Sequence, residues 1–276
     1  MKKIQYFLLS VVVFAVFLII PLATIKMWES TLEYGNVQSS ESILGLGTRQ
    51  SLILQNLRYV SPDAGLLKVS LAGDGTMYIL GYYRDDFDAD MTSGVDMVTY
   101  SGTLSHYFIS KYLADGTYGW TVPFEVPPAS VIYRDLLALN SGGVVFGGYF
   151  SGVLDADPTA GVNNLSSNGL NDAFIMKLDT NGAHVFSGHV GGPGQEVSLK
   201  LAEDSLGNIY MYGGFYNNNV DLDPGPGTHI ENVIVSSTYL IKLNSALVLQ
   251  WVRVITGVAP LSSADIAAIA IDSDTN

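Results

Sequence analysis

Beyond residue 30 the chain shows no helical periodicity, and its apolar residues fall in runs of five to eight. Some runs alternate with polar residues and others are apolar on both sides, as in NIYMYGGF at 208–215. Alternation at period two is the mark of a strand with one buried face, and a short continuous apolar run fits a strand buried on both faces. The runs are broken by turn dipeptides: Asp74-Gly75, Asp115-Gly116, Ser141-Gly142, Asn181-Gly182 and Leu206-Gly207. Such breaks between strand-like runs predict hairpins. In the best-defined stretch the pattern predicts strands near 196–203, 208–215, 238–243 and 248–255. A loop of about twenty residues joins the second of these to the third.

This pattern repeats. LAGDGTMYILGYYRDDFDAD (71–90), LALNSGGVVFGGYFSGVLDADP (137–158) and LAEDSLGNIYMYGGFYNNNVDLDPGPG (201–227) align, and IAIDSDTN (269–276) opens a fourth copy. Ala72, Ala138, Ala202 and Ala270 lie 66, 64 and 68 residues apart. Gly81, Gly148 and Gly213 keep the same period, as do Lys111, Lys177 and Lys242. An aromatic follows each lysine by nine positions: Trp120, Phe186 and Trp251. A fixed period with four strands per unit predicts an all-β fold, a β-propeller of four-stranded antiparallel blades with repeats of about 66 residues. The recurring glycine then marks a bulge or a close backbone approach, and the recurring aromatics read as packing anchors. The lysine is expected to pair with a carboxylate of its blade.

GNIYMYGGFYNNNVDLDPGPG and NDAFIMKLDTNG resemble the bacterial SBBP repeats, which are associated with a seven-bladed β-propeller. The resemblance covers about residues 66–276 and is weaker in the first unit, where DFDADM lacks the Pro-Gly corner. It implies an exported or cell-surface bacterial protein without assigned catalysis. Three units and the start of a fourth do not close seven blades, so the expectation is an incomplete propeller, a fragment of a longer chain.

The N-terminus departs from this pattern. Met1-Lys2-Lys3 precedes an almost wholly apolar run from Ile4 to Ile25. Twenty-two residues at helical rise reach roughly 33 Å, enough to cross a bilayer core. Residues 1–25 therefore read as a hydrophobic helix, either a secretory signal peptide or a retained membrane anchor. Residues 26–50 read as a linker and 51–276 as the propeller repeats, with SLILQNLRYV (51–60) as a further strand. Either export reading makes the protein extracytoplasmic, secreted or on the cell surface, touching membrane only through this segment.

Composition narrows the function. The net charge of −13 excludes a nucleic-acid partner, because a phosphate backbone calls for a basic face. Cysteine is absent, which removes disulfides and thiolate chemistry. His106, His184, His189 and His229 fall in no metal-binding spacing, and no nucleophile elbow or phosphate loop occurs. The candidate metal ligands are Asp88 with Asp90, Asp155 with Asp157, and Asp221 with Asp223, one pair per unit. Carboxylates two apart on an extended segment point the same way, so calcium is one use for them. The other is to accept backbone N–H bonds and fix a turn. Because every unit carries the pair, a catalytic role is not expected. The sequence thus favours a non-enzymatic binding, adhesion or display module for a protein or glycan ligand, with no cofactor other than calcium. The alternative is the propeller portion of an exported carbohydrate-active enzyme.

Overall fold

The computed structural model describes residues 64–102, 104–124, 130–159, 161–216 and 219–257. The expected N-terminal helix, the linker, the strand at 51–60 and the start of the fourth unit lie outside the described residues. Within them the chain is all strand and turn, with no helix.

Three four-stranded antiparallel sheets follow one another along the chain. The first holds β1 (Gly65–Leu71), β2 (Met77–Tyr83), β5 (His106–Tyr112) and β6 (Tyr118–Phe124), in that spatial order. The second holds β7 (Ser130–Ala138), β8 (Val144–Ser151), β11 (Asp172–Leu178) and β12 (His184–Val190). The third holds β13 (Gln195–Glu203), β14 (Ile209–Tyr216), β17 (Ser237–Leu243) and β18 (Leu249–Thr256). The strand boundaries expected for the third unit agree with these to within a residue or so.

The long connection between the second and third strands is not a plain loop. In each unit it pinches into a two-stranded ribbon: β3 (Phe87–Asp88) with β4 (Met97–Val98), β9 (Val153–Asp155) with β10 (Asn164–Ser166), and β15 (Val220–Asp221) with β16 (Ile230–Glu231). The ribbons are too short to register as period-two runs.

The second sheet is buried on both faces. Phe174, Met176 and Leu178 of β11 join a core with Tyr78, Leu80 and Ile109 of the first sheet. Ala173 and Ile175, pointing the other way, join Leu201, Met211 and Ile241 of the third. Stacking of this kind explains strands without clean alternation. The first strands of successive sheets lie side by side, β7 against β1 and β13 against β7. Asp135 of β7 ties all three together. Its Oδ1 pairs with Lys68 Nζ of β1 at 2.8 Å, and its Oδ2 accepts the Leu201 N–H of β13 at 2.9 Å.

The recurring glycine faces a bulge. The first strand slips register between Leu66 and Lys68, between Tyr133 and Asp135, and between Val197 and Lys200. A Cβ on Gly148 would stand 1.8 Å from the Ile132 carbonyl oxygen, so only hydrogen fits there. The turns match expectation, with φ of 85° at Gly116 and 82° at Gly182. At the equivalent place in the third sheet stands Leu247, with φ of 62°, an unusual conformation for a branched side chain.

The recurring lysine does not pair as expected. Lys111 Nζ donates to the Thr180 carbonyl at 2.8 Å, and Lys177 Nζ to the Ser245 carbonyl at 2.7 Å. Each partner belongs to the last hairpin turn of the following sheet, and Trp120 Nε1 donates to the same Thr180 oxygen at 3.0 Å. Strand alternation points the lysine at the next sheet, where a turn carbonyl has no ladder partner. Only Lys242, among the three, meets a carboxylate, Asp204 Oδ2 at 3.2 Å.

Candidate functional site

Each Asp-x-Asp pair occupies the same place, where its ribbon begins to turn. The residue between the carboxylates, Ala89, Ala156 or Leu222, is fully buried, so both carboxylates stand on the outer side. The first carboxylate takes two backbone bonds on Oδ1. Asp88 accepts from Asp90 and Asp96, Asp155 from Asp157 and Asn163, and Asp221 from Asp223 and His229, all between 2.8 and 3.1 Å. These bonds reach two and eight residues ahead and close the ribbon.

The second carboxylate turns the corner. Asp90 Oδ1 accepts the N–H and hydroxyl of Thr92, Asp157 Oδ1 those of Thr159, and Asp223 Oδ1 the Gly225 N–H. Its Oδ2 sits where a side chain would begin on Gly94, Gly161 or Gly227, 2.0, 2.1 and 2.2 Å from an ideal Cβ. The motif is therefore D-x-D-x-x-x-G, and DFDADM forms the same corner without Pro-Gly. Among the described residues no three His, Asp or Glu side chains come together as a metal shell requires.

A different feature lies between the second and third sheets. A cleft of about 420 Å³ runs between β12 and the Asp221–Pro226 ribbon, lined in part by Phe186, Ser187, His189, Asp221 and Asp223. Its floor is backbone against backbone. Gly191 and Asp221 exchange N–H···O bonds at 3.0 and 2.9 Å, and a Cβ on Gly188 would stand 1.8 Å from the Pro224 carbonyl oxygen.

Behind this floor sit ionisable groups that the repeat does not predict. Asp172 and Glu196 are both 0% exposed, and Tyr239 is 1% exposed. Asp172 Oδ2 accepts the Asn168 N–H at 2.9 Å and lies 3.4 Å from His189 Nε2. Glu196 Oε2 accepts the Gly192 N–H at 3.0 Å. Their other oxygens, Asp172 Oδ1 and Glu196 Oε1, have no hydrogen-bond partner, and neither does the Tyr239 hydroxyl. Burial pushes the Asp172 carboxyl up to about 6. Burial, helped by the Asp172 charge, pushes Glu196 up to about 8. Burial also lowers the His189 imidazole, against the pull of the Asp221 charge.

None of these residues recurs. Sheet pairing aligns Glu196 with Val131, Asp172 with His106 and Ser237, Tyr239 with Phe108 and Phe174, and His189 with Pro123 and Val254. The only sequence signal was a departure from the repeat: Glu196, Tyr239 and His189 stand where sister units carry an apolar residue, and Asp172 where they carry His106 and Ser237.

One arrangement has the order of a hydrolytic triad. Ser187 Oγ lies 3.1 Å from His184 Nε2, and His184 Nδ1 lies 3.8 Å from Asp157 Oδ2. The second distance exceeds a hydrogen bond, so Asp157 does not fix the ring's tautomer. Ser187 Oγ also accepts a bond from Asn163 Nδ2 at 2.6 Å, which draws on the lone pairs a nucleophile would use.

No family model matches the chain, and no curated protein matches it.

Proposed function

We propose that this chain is an exported or cell-surface, non-catalytic repeat protein that acts as a binding, adhesion or display module on β-propeller blades. The supporting observation is how its recurring polar residues are spent. The paired aspartates bond their own ribbons, and Lys111 and Lys177 bond the turn of the next sheet. Polar groups repeated in every unit are thus absorbed by architecture. The side-by-side first strands and the core on both faces of the second sheet support blades stacked around an axis. The likeness to SBBP repeats supports the same architecture and a cell-surface setting.

A carbohydrate-active enzyme is the weaker reading. Raised carboxyl pKa values suit glycoside hydrolysis, but Asp172 and Glu196 are fully buried and neither lines the cleft. Intact cells expressing the full chain, treated with external protease and then fractionated, test the proposal. Digestion from outside is expected, and a protease-resistant cytosolic species would contradict it.

A further inference from the structure

We propose that the outer edge of β12 takes an extended, basic peptide segment of a partner protein as a fifth strand, seated in the cleft beside the Asp221–Pro226 ribbon. This deepens the binding reading and rests on it. The cleft is lined by four consecutive residues of β12, Phe186 to His189. Side chains of a strand alternate between its faces, so neighbours that all line one cleft mark a strand seen along its edge. That edge is an outer one, because β12 ends the order β12-β11-β8-β7 and has a ladder neighbour on one side only.

The chain itself starts to fill this edge and then stops. Just past β12, Gly191 and Asp221 exchange N–H···O bonds as an antiparallel pair. Gly191 therefore turns its N–H and C=O away from β11. The register from Val190 back to Phe186 is unbroken, so alternation turns the N–H and C=O of His189 and Ser187 the same way. On the ribbon the next residue due to pair is Asp223, and its N–H is already given to Asp221 Oδ1 at 3.1 Å. Pro224 has no N–H, and its carbonyl oxygen lies over Gly188, 1.8 Å from where a Cβ would stand. The ribbon thus lifts off the edge and onto the face of β12. Among the described residues, no backbone group from outside the sheet bonds the backbone of Ser187 or His189. A strand laid between β12 and the lifted ribbon continues the ladder that Asp221 begins, meeting two donors and two acceptors over roughly 7 Å.

The sister edges are guarded and this one is not. The first sheet ends on β6, which carries Pro123, and the third on β18, which carries Arg253. Proline and charge are the usual protections of an exposed edge. At the matching positions β12 has His189 and Gly188, and it contains no proline, lysine or arginine.

Charge chooses the occupant. A second copy paired β12 to β12 brings together two cleft linings that hold Asp221 and Asp223 and no lysine or arginine, in a chain of net charge −13. A basic peptide meets the same carboxylates with attraction. Backbone bonds supply the site, charge selects the peptide, and the half-buried Phe186 gives its apolar residues a ring to rest against.

The test is fluorescence anisotropy of the full-length protein in mild detergent. The probes are labelled, capped Lys-Val-Lys-Val-Lys, its Glu-Val-Glu-Val-Glu counterpart, and two forms of the lysine peptide N-methylated at the odd or at the even residues. The lysine peptide is expected to bind and the glutamate peptide to be ignored. One N-methylated form should lose at least tenfold in affinity, because its donors faced β12, and the other should bind like the parent. His189→Pro copies the guard of β6 and removes one of the two edge donors, so it should also weaken binding about tenfold. The N-methylated pair, read on the wild type, answers the same question if that variant melts early. No binding of the lysine peptide, equal binding of the two N-methylated forms, equal binding of the glutamate peptide, or full binding by a folded His189→Pro would each overturn the proposal. A dimer seen in sedimentation and abolished by His189→Pro would assign the edge to a second copy and overturn it as well. Failure here leaves the surface-display reading standing, since external protease decides that independently.

Discussion

Replacing Asp135 with Ala removes a side chain of β7 that bonds the first strands of the other two sheets. It removes an ion pair with Lys68 at 2.8 Å and leaves the Leu201 N–H without its acceptor. Asp135 is buried, whereas the Lys68 side chain is 37% exposed, so the ion pair counts for less than a fully buried one. Breaking a buried pair costs about 3–5 kcal/mol, and solvent at Lys68 brings the expected loss to about 2–4 kcal/mol, including the orphaned donor. For a unit of this size that is a fall in Tm of roughly 5–15 °C. Asp135→Asn keeps an acceptor for Leu201 and loses only the charge, so it should fall about half as far. A double-mutant cycle with Lys68→Met, followed by thermal melting, separates the pair from the backbone bond. If Asp135→Ala melts within a degree or two of the wild type, the first strands do not hold the sheets together in the way described.

Three further outcomes are expected. Glu196, neutral when folded up to about pH 8 and ionised when unfolded above its ordinary value near 4.5, makes the folded state bind the extra proton across that window. Stability therefore falls as pH rises through it, by about 5 kcal/mol in all, and Glu196→Gln should flatten the profile and melt higher at pH 8.5; an unchanged slope would refute this. Leu247→Gly relieves about 1 kcal/mol of left-handed strain but empties a fully buried site worth about 2–4 kcal/mol, so it should destabilise despite Gly116 and Gly182 at the same turn position. A fluorophosphonate probe should leave Ser187 unlabelled, and labelling that His184→Ala abolishes would show a working nucleophile.

The repeat was legible because its anchors obey steric rules visible in one dimension. Gly148 must be glycine to face the bulge of β7, and the turn glycines must supply positive φ, so spacing alone recovered the strands. The role of the paired aspartates as turn-fixers was likewise readable from their short spacing. The glycine four residues after the second aspartate was overlooked, although Gly94, Gly161 and Gly227 recur as faithfully as any anchor. The partner of Lys111 and Lys177 could not be read, since a turn carbonyl of the next sheet leaves no mark in side-chain identity. The acids behind the cleft were hidden for the opposite reason. A pattern search rewards agreement among units, and Glu196 departs from Val131 at a fully buried position, while Asp172 falls where the units share no residue, with His106 and Ser237 as its counterparts.

The central claim is that recurring carboxylates are architecture and not chemistry, and calcium-dependent melting tests it most directly. The wild type and an Asp221→Asn, Asp223→Asn double variant are melted in chelator and in millimolar calcium. Asparagine keeps an oxygen for the Asp223, His229 and Gly225 N–H groups, so the double variant should melt close to the wild type, with small and equal calcium shifts in both. A large calcium-dependent rise in the wild type, lost in the variant, would contradict the account and make these corners a metal site.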